Sequence, residues 1–517
     1  MFGSKRCRHR LTSLLAILLP IHWSNNFSSS EALLISSRQP NTSLATSGTS
    51  PLSLYRRYEN GSTWRYSTSL FVSNTELSSD LAQNIRQSFK EKETDGVVEL
   101  AASSSLMADT DVDIEEKLIP AILEASGGGK GVTASIMNAL IGSSCLATPS
   151  DDETWCLISD RIISLMDGLQ ETADIVPDIV TYSLAHQALL NDPDDHDLAN
   201  TVLEQAERNS KKIAGGKRRK LLASSRRKKM SSFSDAEGNL KELLGSDFKV
   251  LLETDDLAVV NKPSGVPCFH VKTTTAGKIK RGKGKRKAKA GSNEDFSASS
   301  DVSLEDALVS CNVHLSTLNP EALGLVHRLD RGSSGCLVLA KSNEMHTKLI
   351  LEFFLRRTTK KYVALARQTS LSSIPEEGAG FIDHPVGGRP ARSKYRVLKR
   401  YQSSNDDKLE DDAALVEFEI FTGRKHQIRV HAAEVLGSPV WSDSLYSTNE
   451  DGIAKKNRVS ADSSERIFLH ASHLTIPQLG IDIESPVPMW WESTISTFKS
   501  KEGNTKESPV IAKNNLT

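Results

Sequence analysis

The sequence predicts an α+β domain over residues 245–495, preceded by an α-helical region and a disordered N-terminus. Three observations point there. FKVLLETDDLAVVNKPSG, from Phe248, reads as strand, Asp-Asp turn, strand. Val416, Phe418 and Ile420 alternate with Glu417 and Glu419, the period of a half-buried strand. Between such strands lie stretches of helical spacing, at 302–313, Asn343–Arg357 and 425–436. Ser303 stands where it can cap the first of these, with Glu305 close behind. CLVLAK (336–341) and Lys361–Ala366 complete the apolar strands.

Upstream, helical spacing begins near Ile114 and predicts four helices: Thr133–Ile141, Thr154–Leu169, Ile179–Leu190 and Asp197–Ser210. Pro177 and Asp178 mark a helix start, and Asn191-Asp192-Pro193 a stop. VPDIVTYSLAHQALL followed by DLANTVLEQAERN resembles a pentatricopeptide-type helix pair, through Pro177, Asp178, Thr181, Tyr182 and Ala199. An ordinary helical domain explains the same pattern.

The chain of 517 residues has room for two or three domains. Only 38% of residues are hydrophobic and 6% aromatic, so long unstructured stretches are expected beside the packed core. The resulting division is a targeting segment (1–75), a linker (76–112), the helical region (113–210), a basic linker (211–244), the α+β domain (245–495) and a disordered tail (496–517). Polar insertions at 272–300, 403–412 and 447–465 are expected at the domain surface, since closing a longer loop costs little extra.

The formal net charge of −1 says little about partners, but the charges are bunched. Ten Lys or Arg crowd between Lys211 and Lys229, and residues 272–291 hold nine basic residues and no acid. Such runs attract phosphates without reading sequence. The first 75 residues carry eight Lys or Arg against only Glu31 and Glu59. A basic start precedes an apolar run, Leu11–Ile21, too short to span a bilayer, and serine-rich sequence follows. That is the pattern of a signal-like core ahead of a transit segment, which points to an organelle, a plastid before a mitochondrion. Six cysteines form no CxxC pair and no zinc spacing, so reduced thiols and no metal are expected.

The chemistry concentrates in GLVHRLDRGSSGCLVLAKS (324–342), where Arg328, Asp330 and Arg331 fall within four residues ahead of an apolar strand. Taken alone, this is as well read as a structural Asp–Arg turn. HRLDRGSSG, however, closely resembles the catalytic motif of the RluA-type pseudouridine synthases. NKPSGVP (261–267), KKYVALA (360–366), TGRKHQIRVH (422–431) and RIFLHASHLTIP (466–477) resemble four further motifs of that family, in the required order. PARSKYRV and GSPVWSDSLY match less closely. Ser333 and Ser393 stand where Thr is usual, and Ser442 where the family has glycine before Asp443. The family's common small N-terminal RNA-binding domain is not recognisable.

The resemblance implies a mixed, largely antiparallel sheet with flanking helices, no cofactor, and RNA as substrate, whether ribosomal, transfer or messenger. A monomer is expected, in no membrane once mature, since no segment beyond the first reads as able to cross one. The resemblance also implies Asp330 as the catalytic carboxylate, Arg429 as its cationic partner, and Tyr362 against the flipped base, with its hydroxyl a candidate to take the carbon 5 proton. Arg328 would hold rearranged RNA and Leu469 would floor the uracil. Lys262, beside a turn, is read either as a phosphate contact or as a plain solvent-facing lysine. Isomerising uridine moves the ribose bond from nitrogen 1 to carbon 5, with no redox step and no group donor. An ionised carboxylate to stabilise or trap the detached intermediate suffices. A typical glycosidase would need a second acid to activate water, and the HRLDRGSSG motif supplies a single acid between arginines.

Overall fold

The computed structural model describes residues 113–149, 151–192, 196–213, 230–270, 302–368, 372–375, 378–403, 412–446 and 466–500, with 83, 85, 107 and 108 singly. The targeting segment 1–75, the basic run 217–229 and the insertions 272–300 and 447–465 lie outside them.

The helical region begins with a π-turn, Ile114–Leu118, capped by the Asp113 carboxylate, which accepts from the Glu116 amide. Helices α1 (Ile119–Ser126), α2 (Lys130–Ser144), α3 (Asp152–Ala173), α4 (Ile179–Leu189) and α5 (His196–Ile213) follow. Their ends obey local chemistry. Asp151 caps α3, and Asp178 with Thr181 forms a capping box at α4. Ile85 and Met107, assigned from sequence to a linker, are buried in the same apolar core as these helices. A buried methionine there was invisible because the surrounding sequence is polar and without period.

The α+β domain starts earlier than its sequence boundary. Residues 233–244, read as the end of a basic linker, form helix α6 (Phe233–Leu244), capped by Ser232. Phe233, Ala236, Leu240 and Leu244 recur at helical spacing and are buried in the domain's main core. The charge run just before them masked that stripe. Strands β1 (Lys249–Glu253) and β2 (Leu257–Lys262), helix α7 (Leu304–Ser310), strand β3 (Ser334–Ala340) and helix α8 (Asn343–Phe354) come next. Then follow β4 (Thr359–Gln368), β5 (Ala379–Asp383), β6 (Arg392–Ser403) and β7 (Asp412–Ile420). A short helix α9 (Gln427–Val430) runs into a π-turn, His431–Val435. Strands β8 (Leu469–Ile476) and β9 (Ile481–Glu484), helix α10 (Trp490–Ile495) and strand β10 (Phe498–Ser500) close the domain. β10 corrects the expectation of a tail from 496. It pairs antiparallel with β6, and Phe498 packs edge-on against Trp441.

The strands form one sheet in the order β1-β2-β3-β8-β4-β7-β6-β10, with β5 on β6 and β9 on β8. It is mixed and largely antiparallel, as the family resemblance implied: only β3 and β8 run parallel among the named pairs. Gly335 makes that parallel contact possible. Its φ is +116°, and a Cβ there would collide with the Ala471 backbone.

The helical region is not a tethered appendage. Leu351 and Leu355, at the end of α8, are buried in the helical core together with Leu318. Phe354 fills the space left by Gly142 on α2, where a Cβ would come within 2.5 Å of the ring. Polar bonds border this contact. The Thr347 hydroxyl lies 3.0 Å from His186 Nδ1 and accepts from Gln187 at 2.9 Å, and Asn343 donates to Glu207 at 2.6 Å. Helices and sheet therefore share the two faces of α8, which also packs on β3 through Leu349.

Candidate active site

Asp330 sits in the loop that leads into β3, with its side chain 21% exposed. The loop is held from two sides. The NKPSGVP turn laces to it: the Gly265 amide donates to the Arg331 carbonyl at 2.8 Å, Arg331 Nε returns a bond to the Gly265 carbonyl at 3.0 Å, and the Ser264 hydroxyl donates to the Gly332 carbonyl. Leu329 and Cys268 bond each other through the Cys268 sulfur. On the other side, the Ile467 amide donates to the Gly332 carbonyl at 3.1 Å.

Lys262 is where the structure departs most from the sequence reading. It neither faces solvent nor offers a phosphate contact. It is fully buried, and its ammonium donates to the carbonyls of Pro263 (2.9 Å), Val266 (2.7 Å) and Arg331 (3.4 Å). Burial pulls its pKa down to about 8. Lys262 is thus a staple joining the turn to the Asp330 loop, and the apolar run it ends, LAVVNK, buries all six residues. A strand buried along its whole length gave no alternation from which to read the lysine's direction.

Arg429 approaches Asp330 from α9, with 3.8 Å between Nη1 and Oδ2. Its direction is set by Asp443, whose side chain is wholly buried and accepts from Arg429 Nε at 2.6 Å and Nη2 at 2.7 Å. That fork-on-fork pair is the strong geometry for a guanidinium. Burial opposes the Arg429 charge, yet the Asp443 bonds, with smaller help from Asp330, raise its pKa above the ordinary arginine value. Asp443 is placed by its neighbour Trp441, whose amide bonds to Leu365 on β4 and whose carbonyl accepts from Phe468. Gln427 and His431 of the same segment are structural. Gln427 gathers the Thr422 hydroxyl, the Arg424 amide, the Arg392 carbonyl and the Ser393 hydroxyl. His431 bridges Ser393 to the His384 carbonyl.

His426 joins the group unannounced by the sequence reading. Its φ is +60°, and its Nε2 lies 3.8 Å from Asp330 Oδ1. Its Nδ1 is 3.0 Å from the Tyr446 hydroxyl, and Arg429 lies over the Tyr446 ring at 5.1 Å. Asp443, His426 and Tyr446 were all present in quoted motifs. Nothing in their spacing showed that they converge on one carboxylate.

Tyr362 is buried in β4, and its pKa is driven up by burial and then by the Asp330 charge. That environment keeps the phenol protonated, so its expected role as a proton acceptor runs against its surroundings. Leu469 is buried at the start of β8 and pairs with Ala364, which shares the Tyr362 face of β4. Arg328 is exposed, its guanidinium 5.1 Å above the Phe269 ring. His327 of the same motif is structural: it accepts from the Val338 amide at 3.0 Å, and burial lowers its pKa to about 3. No group of His, Cys, Asp and Glu suited to a metal occurs among the described residues.

Comparison with known proteins fits this arrangement. Residues 256–434 match the family model for RNA pseudouridylate synthase. An uncharacterized RNA pseudouridine synthase from Zymomonas mobilis is 32% identical over 183 residues, covering 32% of this chain and 73% of the relative. This chain belongs to the RluA-type family of RNA pseudouridine synthases. The ribosomal large subunit pseudouridine synthase D of Nitrosomonas europaea is 29% identical, over 46% of this chain and 62% of the relative. RNA pseudouridine synthase 2, chloroplastic, of Arabidopsis thaliana is 30% identical, over 30% of this chain and 38% of the relative. Several of the curated relatives are thus spanned over less than two thirds of their own length, and the matched part of this chain lies within its α+β domain.

Proposed function

We propose that this chain converts selected uridines in RNA to pseudouridine, with Asp330 as the catalytic carboxylate. The observation that carries the reading is the meeting of Asp330 with Arg429, a cation held in place by the buried Asp443. The bond from ribose to uracil nitrogen 1 breaks, Asp330 stabilises or traps the electron-poor ribose, the uracil turns, and carbon 5 bonds to the ribose in its place. Carbon 5 then gives up a proton and nitrogen 1 gains one, so the product is an isomer and no donor is consumed.

The other residues follow from position. Arg429 complements the charge of Asp330. Tyr362 and Leu469 present ring and apolar floor to the base. Arg328, exposed on Phe269, contacts RNA as the target nucleotide leaves its stack, a step costing a few kcal/mol. Lys262 positions the Asp330 loop and touches no RNA. We further propose a plastid location, supported by the acid-poor N-terminus and by the chloroplastic relative, and ribosomal RNA as the first substrate to test, because one relative is named for it.

The test maps pseudouridine chemically in organellar RNA from cells with and without the protein. Sites lost on its removal should return with the parent protein and stay absent with Asp330→Asn, while Asp330→Asn still binds RNA. Full restoration by Asp330→Asn would overturn the assignment.

A further inference from the structure

The isomerisation leaves one question that the Asp330–Arg429 pair does not answer: which group takes the proton from carbon 5. We propose that His426 accepts it through Nε2, an inference that rests on the pseudouridine synthase reading above.

The geometry supplies the argument. Arg429, Tyr362, Lys262, Cys268, Tyr446 and His426 all feel the charge of the Asp330 carboxylate, and their states differ. Burial pushes the Cys268 thiol and the Tyr446 phenol up, so both keep their protons. Arg429 is permanently protonated and doubly engaged by Asp443. Tyr362 is held as a phenol. The Lys262 ammonium is turned into three backbone carbonyls. Among these, His426 offers an imidazole nitrogen 3.8 Å from Asp330 Oδ1, on a side chain 18% exposed. Its other nitrogen lies 3.0 Å from the Tyr446 hydroxyl, in an edge-on arrangement of the two rings. With Nδ1–H donated to the Tyr446 oxygen, Nε2 presents its lone pair on the Asp330 side.

The charges around the imidazole suit a transient acceptor. Burial lowers its pKa most, Asp330 opposes that, Arg429 and Lys425 lower it further and Asp443 raises it, so the ring holds a proton less tightly than a free imidazole. The step balances. The carbon 5–hydrogen bond breaks, and its electron pair restores the carbon 5–carbon 6 double bond. The proton bonds to Nε2, giving an imidazolium beside the Asp330 carboxylate. Nitrogen 1 of the uracil, bearing the electron pair of the broken ribose bond, then takes a proton, so none is gained or lost overall.

The backbone makes the test clean. At φ +60°, glycine and asparagine are both suited to position 426. His426→Gly should keep its fold and its RNA affinity but lose about 10²- to 10⁴-fold in single-turnover rate. Free imidazole should restore part of that loss, and His426→Asn, which cannot accept a proton, should be as slow and show no rescue without imidazole. RNA deuterated at uridine carbon 5 should react more slowly than unlabelled RNA in His426→Gly, because proton removal has become limiting. The acid limb of the parent rate profile should vanish in His426→Asn. A parental rate in His426→Gly would show that Asp330 carries the proton itself. A loss that neither imidazole nor the isotope touches would show that His426 only positions Tyr446. Either result overturns the proposal. Activity in Asp330→Asn would instead sink the pseudouridine synthase reading, so the two failures are separable.

Discussion

Replacing Asp443 by alanine tests the clamp on which the site depends. Its carboxylate is fully buried and makes two charge-assisted bonds, 2.6 and 2.7 Å, to a guanidinium that is itself only 11% exposed. Asp443→Ala strips that buried cation of both bonds and leaves Asp330, at 3.8 Å, as its nearest charge partner; losing one member of a comparable buried pair costs about 3–5 kcal/mol. Arg429 also loses its aim. At 3.8 Å its attraction to Asp330 is roughly 4 kcal/mol at an effective dielectric of 20, before the exposure of Asp330 reduces it. A shift of about 1 Å in such a partner is enough to cost on the order of 100-fold in rate. Urea unfolding followed by circular dichroism reads the first effect, and single-turnover pseudouridine formation on RNA from cells lacking the protein reads the second. The double variant Arg429→Ala, Asp443→Ala should be less unstable than Asp443→Ala alone, because no buried charge is orphaned. An Asp443→Ala protein within about 1 kcal/mol of the parent stability, at parental rate, would refute the clamp.

Three further outcomes can be checked on the same protein. Burial holds His186, His346 and His470 at pKa values of about 4 and His327 at about 3. With folded values below the unfolded one, their stabilisation is complete above about pH 6.5 and is lost as pH falls towards 4, by up to roughly 5 kcal/mol per pH unit for four protons; a urea midpoint flat between pH 7 and 5 would contradict it. Ser442 holds a left-handed φ of +62°, so Ser442→Gly should stabilise by about 0.5–1 kcal/mol, read from the same unfolding curves, and a loss would show that the serine earns its strain. Gly335→Ala should destabilise by about 3 kcal/mol or more, since its Cβ meets the Ala471 backbone where β3 and β8 run parallel; normal stability would mean the strands part without cost.

The α+β class and the family could be read along the chain, because ordered motifs and strand alternation are local properties. TGRKHQIRVH and HRLDRGSSG are legible without knowing that they meet. Helix ends were legible for the same reason: Asp178, Ser303 and their partners act within one turn. Where local pattern was absent or overlaid, reading failed. The stripe Phe233, Ala236, Leu240, Leu244 was hidden behind a run of basic residues, and the direction of Lys262 by a strand buried on both faces.

What surrounds the carboxylate depends on segments that meet only when the chain has folded. Arg429 and Asp443 are fourteen residues apart, and His426 and Asp330 far more distant, yet all converge because β4 aligns Trp441 on one side while the turn at 262–268 fixes the Asp330 loop on the other. The same holds for the core that the helical region shares with α8, through Phe354 against Gly142. The physical reason is the same in each case. A side chain's chemistry is fixed by its type, but its charge state and reach are set by neighbours brought from elsewhere in the chain, and these appear only once the backbone has closed around them.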